Sequence, residues 1–118
     1  MTPQYSDVHS HVTFKDYDQD LEEVLARMRE EGVATITVGV DKKTSEEAVR
    51  FAEANENFYA IIGLHPTDTT TETFAASEWK LLAENPKVVG VGECGLDFFR
   101  AQGDIIEEKK RQLREFEK

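Results

Sequence analysis

A second cysteine is missing, and with it any internal disulfide: Cys94 stands alone among 118 residues. That fits a reducing compartment, and the expectation is a cytoplasmic protein. No apolar run approaches bilayer-spanning length, and the first residues show neither the basic nor the apolar region of a secretory leader. No membrane partner is expected. Low-complexity stretches, linkers and charged tails are absent too. Basic residues are scarce, with 14 Lys and Arg against 24 Asp and Glu, for a formal net charge of -10. This argues against sequence-independent binding of a polyanion through a broad basic face. It leaves room for a nucleic acid held by cations and a few local donors. With 39% apolar and 32% charged residues, residues 1–118 read as one globular domain with a modest core.

What is there is a strand–helix alternation. Tyr5 to His9 reads as a strand. Asp18 to Glu31 reads as a helix with Leu21, Val24, Leu25 and Met28 on one stripe and Gly32 as its stop. Thr35 to Val40 is β-branched and strand-like. Thr44 or Ser45 is the expected cap of the next helix, with Glu46 and Glu47 in its first turn. Phe58 to Ile62 is a third strand, and a helix over Glu72 to Glu84 carries Phe74 and Trp79 as packing residues. Val88 to Gly92 is a fourth strand, and a fourth helix runs from about Asp104 to the end. Such repetition every 25 to 30 residues or so indicates a parallel α/β sheet.

Two architectures compete, an open doubly wound sheet and part of a (β/α)8 barrel of about 250 residues. Ile105, Ile106, Leu113 and Phe116 keep the last helix apolar almost to Lys118, with no stop signal following. The expected fold is therefore the first four β/α units of a TIM-type (β/α)8 barrel, in a chain that reads as truncated.

In either architecture ligands bind at the carboxyl ends of the parallel strands, and the titratable residues gather there. His9 and His11 share one face of an extended chain, so both imidazoles can converge on one small cation. Asp7 lies one step back on that face and is a candidate supporting group. Glu93 closes the buried-looking strand Val88-Val89-Gly90-Val91-Gly92, where an unpaired carboxylate would be costly. A cation removes that cost, and so would a salt bridge. His65, fixed in extended backbone by Pro66, is a candidate ligand, proton donor or phosphate contact. Asp97 is placed to orient a ligand or to cap its loop. Arg100 suits a phosphate or a nearby acid. The second strand ends at Asp41, the weakest candidate. Cys94 alternates with Glu93 and is expected to be a small buried apolar residue.

Gly90-Val91-Gly92-Glu93-Cys94-Gly95 spells G-x-G-x-x-G, the dinucleotide fingerprint. That motif should follow a strand and open directly into a helix. Here two of its glycines fall within the strand pattern, a Glu occupies the turn, and Leu96 to Arg100 extends the loop. The nucleotide reading is rejected.

The order Asp7-Val8-His9-Ser10-His11, Gly63-Leu64-His65-Pro66, then Gly92-Glu93-Cys94-Gly95-Leu96-Asp97-Phe98-Phe99-Arg100 resembles the TatD family of metal-dependent hydrolases. The resemblance covers essentially the whole chain but only the first half of the family's domain. It implies a (β/α)8 barrel with one or two divalent metal ions, and DNase activity on phosphodiester bonds with DNA as substrate. It also implies that His9 and His11 bind the first metal, that Glu93 bridges two, and that His65 lies beside the substrate phosphate. Ser10 stands where relatives often carry cysteine and is expected to face away from the metal. The family's later histidines and aspartate, including the natural general base, have no counterpart here. The chain alone is therefore expected to be inactive and inclined to self-associate. Zn, Mn, Fe and Mg all remain open, although Mg prefers oxygen ligands.

Two rivals stand beside this reading. One is a related barrel acting on an amide or ester, from which His65 and Arg100 as phosphate contacts would separate it. The other is a non-catalytic binding domain.

Overall fold

β-Branched residues crowd the segment Val33–Val38, and it forms an interior strand of the sheet in a computed structural model that describes residues 2–118. The chain runs β1 (Tyr5–Ser10), α1 (Leu21–Glu30), β2 (Val33–Val38), α2 (Lys42–Glu53), β3 (Phe58–Ile62), α3 (Ala76–Ala83), β4 (Val88–Val91) and α4 (Ile105–Phe116). Single 3-10 turns occupy Lys15–Tyr17 and Pro66–Thr70. All strand pairs are parallel and the spatial order is β1-β2-β3-β4. A doubly wound sheet reverses its order part-way, so this sequential order decides for the barrel-type arrangement.

Local chemistry sets the boundaries. Gly32, with φ of 66°, takes the left-handed position that stops α1. The expected stripe of that helix holds: Leu25 is buried, with Leu21, Val24 and Met28 partly buried beside it. α2 starts earlier than the sequence suggested. Asp41 is its N-cap, accepting from the Thr44 amide at 2.7 Å, while the Thr44 hydroxyl accepts from the Asp41 amide at 3.1 Å. The expected cap Thr44 is thus the reciprocal member of a capping box. Ser45 is buried under Gly63, and Glu46 and Glu47 fall beyond the first turn. α3 is shorter than expected: it begins at Ala76, so Phe74 precedes the helix, and a separate turn occupies Pro66–Thr70.

The core lies between α2 and β3. Ala48, Val49 and Ala52 meet Ala60, Ile62 and Leu64, and Trp79 closes the cluster from α3. Spacing i, i+1, i+4 puts the three α2 residues on one face, and the small alanines let the helix approach the sheet. Burying each of Ile62 and Leu64 stabilises the fold by about 1.5–3 kcal/mol.

Burial departs from the apolar pattern of the sequence in β4 and in α4. β4 is half-exposed, with Val89 and Val91 51% and 72% accessible, because it is an edge strand with no further strand beside it among the described residues. α4 turns its apolar stripe outward: Ile105, Ile106, Leu113 and Phe116 are exposed, while Glu108 and Gln112 are buried. The helix is held by polar contacts instead. Arg111 pairs with Glu108 through both oxygens and reaches the Thr69 hydroxyl at 3.1 Å.

Candidate metal centre

All three histidines of the chain meet one carboxylate. Glu93 Oε1 lies 2.9 Å from His9 Nε2 and 3.3 Å from His11 Nε2, and its Oε2 lies 3.4 Å from His65 Nε2. His9 and Glu93 are 84 positions apart and come from the two edge strands. The expected clustering of His9, His11 and Glu93 is thus present in the geometry.

Backbone at the strand ends brings them together. The Gly92 amide donates to Ile62 O at 2.8 Å, and the Glu93 amide reaches across to Gly39 O at 3.2 Å. Glu93 therefore leans over the end of β3 toward β1. Gly63 makes this possible, since a Cβ there would stand 2.4 Å from Gly92 O. No side chain larger than hydrogen fits without moving the strand ends apart.

The two inner histidines hold opposite tautomers. His11 Nδ1 is 3.0 Å from Val38 O, which only accepts, so Nδ1 carries the proton and Nε2 presents a lone pair. That lone pair faces His9 Nε2 at 3.3 Å and Glu93 Oε1 at 3.3 Å. Two acceptors so disposed repel unless a proton or a cation lies between them. Phe14 stacks on the His11 ring at 4.5 Å and helps to fix its plane. At His65 the Thr67 amide donates to Nδ1 at 3.2 Å, with the Thr67 hydroxyl at 2.7 Å. Nδ1 is therefore the acceptor, and Nε2 bears the hydrogen that points to Glu93. Nearby, burial pushes the Asp68 carboxyl above its ordinary range; His65 opposes this, and Asp41 and Glu93 add to it.

The donor set passes a simple fit test. Two nitrogens bound at about 2.0–2.1 Å to one tetrahedral ion stand roughly 3.3 Å apart. His11 Nε2 stands 3.3 Å from both His9 Nε2 and Glu93 Oε1, while the His9–Glu93 pair is closer at 2.9 Å. A peptide carbonyl holds the distal nitrogen of His11, as ligating imidazoles usually require. His65, protonated toward the cluster, presents a donor.

The remaining sequence candidates behave differently. Asp7 turns away from the rings and accepts from the His9 amide at 3.0 Å. Asp97 caps its own loop, accepting from the Phe99 and Arg100 amides at 3.1 Å each. Arg100 is exposed and pairs with Asp97; its amide and guanidinium hold that carboxyl below the usual range. Asp41 caps α2 and stays out of the cluster. Cys94 is exposed, contrary to expectation, because β4 is an edge whose flank is open. Ser10 is buried and bonded to Thr35 Oγ1 at 2.7 Å, away from the imidazoles. No helix begins within the G-x-G-x-x-G stretch, and α4 starts only at Ile105. The sequence reading missed the carbonyls of Val38 and Gly39, which are backbone and leave no residue signature. It also missed Thr67, whose only signal was its place two residues after His65.

Comparison with known proteins gives one answer. The family model described as TatD related DNase matches residues 6–118. The chain belongs to the TatD related DNase family. It is 42% identical over 94 residues to the uncharacterized metal-dependent hydrolase YabD of Bacillus subtilis, covering 78% of this chain and 37% of that protein. It is 36% identical over 96 residues to the 3'-5' ssDNA/RNA exonuclease TatD of Cronobacter sakazakii, covering 80% of this chain and 36% of the exonuclease. The crystal structure of YjjV, a TatD homolog from Escherichia coli K12, superposes with a TM-score of 0.78 at 29% identity, covering 99% of this chain and 45% of that one. The chain spans less than half the length of these TatD relatives. Its four β/α units are those of a TIM-type barrel. Among the described residues no helix is long and apolar enough to cross a membrane.

Proposed function

We propose that the chain carries metal-binding machinery of a hydrolase that cleaves DNA phosphodiester bonds, with His9, His11 and Glu93 as the ligands. The observation that carries this reading is His11. With Nδ1–H held by Val38 O, Nε2 of the neutral ring is an acceptor aimed at the acceptor Glu93 Oε1. Imidazole with carboxylate suits Zn or Mn better than Mg. A divalent cation held there would lower the pKa of a water and polarise a phosphoryl oxygen. Glu93 would also be the residue to hold a second ion, with its Oε2 facing His65 Nε2 at 3.4 Å. His65 Nε2–H donates a hydrogen bond to the substrate phosphate, its tautomer held by Thr67. Arg100, braced by Asp97, contributes positive charge on the loop after Glu93. A lone exposed thiol suits a reducing compartment, so the proposed location is the cytoplasm.

This reading is favoured over an acyl hydrolase because the matching family model is described as a DNase and a 36% identical relative as a ssDNA/RNA exonuclease, with His65 placed as a donor that suits a phosphate. Cobalt titration followed by visible absorption tests the ion: bands should appear with the natural chain and fail with His11→Ala. Phosphodiesters should then compete for the loaded site, whereas amides and esters should not. Hydrolysis or competition by acyl substrates alone would overturn the assignment.

A further inference from the structure

Phe99 is 95% accessible, more than any other large apolar side chain described. The loop beneath it is nevertheless tightly built. Gln112, only 1% accessible, grips the Asp97 main chain on both sides: its Oε1 accepts from the Asp97 amide at 2.8 Å, and its Nε2 donates to the Asp97 carbonyl at 2.9 Å. Asp97 in turn holds the Phe99 and Arg100 amides. The exposed ring is therefore presented from a fixed support. It shares one cavity of about 720 Å³ with His9, His65, Glu93 and Phe98. Arg100 follows Phe99 and pairs with Asp97, and Lys109 Nζ stands 5.1 Å from the Phe98 ring centroid.

We infer that Phe99 is a stacking platform for a nucleobase of a single-stranded nucleic acid whose phosphate lies at the His9–His11–Glu93 cluster. This rests on the phosphodiesterase reading and adds how the substrate is held. An aromatic face accepts any base, so such a contact favours unpaired strands without reading their sequence. A paired base keeps its faces covered by its neighbours in the duplex and cannot offer one without unstacking. Charge complementarity points the same way, since Lys109 stands beside the Phe98 ring, where its ammonium can meet the backbone of a strand.

The test uses the manganese-loaded 118-residue chain and a short oligonucleotide ending in 2-aminopurine, with a phosphorothioate at the last linkage to prevent cleavage. Base fluorescence reads stacking, and anisotropy of a distant dye reads binding. Phe99→Leu keeps apolar bulk but removes the aromatic face. It should weaken binding roughly 5- to 100-fold and abolish the fluorescence change, while Phe99→Tyr retains both. An oligonucleotide with an abasic end should bind all three chains alike. Equal binding of the base-bearing strand by the natural chain and Phe99→Leu would overturn the stacking role and leave the nucleic-acid reading intact. Failure of every oligonucleotide to bind the natural chain would overturn both. Loss of self-association in Phe99→Ala with oligonucleotide binding unchanged would overturn the stacking role and assign the ring to a protein contact.

Discussion

His11 and His65 approach the same carboxylate in opposite protonation patterns, and that difference separates their roles. His11 offers a lone pair and His65 a hydrogen. His11→Ala should therefore cost metal affinity more than the roughly 10- to 100-fold typical of a supporting partner. His65→Ala should change affinity less than that and act mainly on turnover. Titration of each variant with cobalt or manganese, read against hydrolysis of a small phosphodiester, checks the pair. Large loss of metal with His65→Ala would move that residue among the ligands. The His-x-His spacing was legible in the sequence because a strand repeats every second residue, and Glu93 was legible because a carboxylate closes an apolar run. The tautomers were not, since Val38 O and the Thr67 amide set them, and every residue owns a carbonyl or an amide.

Two elements show where a helix or strand is held by something other than apolar packing. The Gln112 clamp ties α4 to the loop after β4, and replacing it by Leu strands two main-chain groups of Asp97. The expected loss is about 1–3 kcal/mol in urea unfolding, with altered fluorescence from any probe on that loop. Gly63→Ala forces the ends of β3 and β4 apart, at a cost of about 1–3 kcal/mol, and should lower metal affinity because Glu93 moves with its backbone. Acid dependence divides the elements further. Burial raises the Glu72 carboxyl, partly offset by its bond from the Lys42 amide, so it opposes folding while ionised. The Arg111 bond holds Glu108 low, and bonds from the Phe74 amide, Lys118 and Thr73 outweigh the burial that resists ionisation of Glu115. Stability should thus rise slightly as pH falls from neutral to just above the ordinary carboxylate range, where Glu72 and Asp68 take up protons. Below that range it should fall, as Glu108 and Glu115 take up protons and their bonds to the still-charged Arg111 and Lys118 weaken. Thermal melts from pH 7 to pH 3 would show the maximum, and a monotonic decline would refute the balance. Sequence periodicity found α4 and its apolar stripe, which faces outward here, because apolar spacing reveals a stripe and not what lies against it.

At the scale of the molecule, β1 and β4 are the edges of the sheet among the described residues, and apolar side chains lie open along both. Tyr5 and Val8 are 63% and 65% accessible, beside Val89 and Val91 on the far edge and the outward stripe of α4. Parallel edges with unpaired backbone groups invite pairing with another chain. Light scattering should therefore report oligomers that grow with concentration, and charged substitutions at Val8 and Val91 should reduce them without disturbing the core. A parallel sheet had been readable from the regular alternation of elements, whereas this exposure depends on which neighbours are present. The site spans the same two edges: His9 lies in the first strand with His11 just past its end, and Glu93 follows the last. A bound cation would then act as a clasp, closing an 84-residue ring between opposite margins of one sheet. At a hundredfold excess over its dissociation constant it would add about 2.7 kcal/mol of stability. Chelation should loosen the clasp at its weaker margin, and deuterium uptake in Tyr5–Ser10 should quicken before that in Phe58–Ile62.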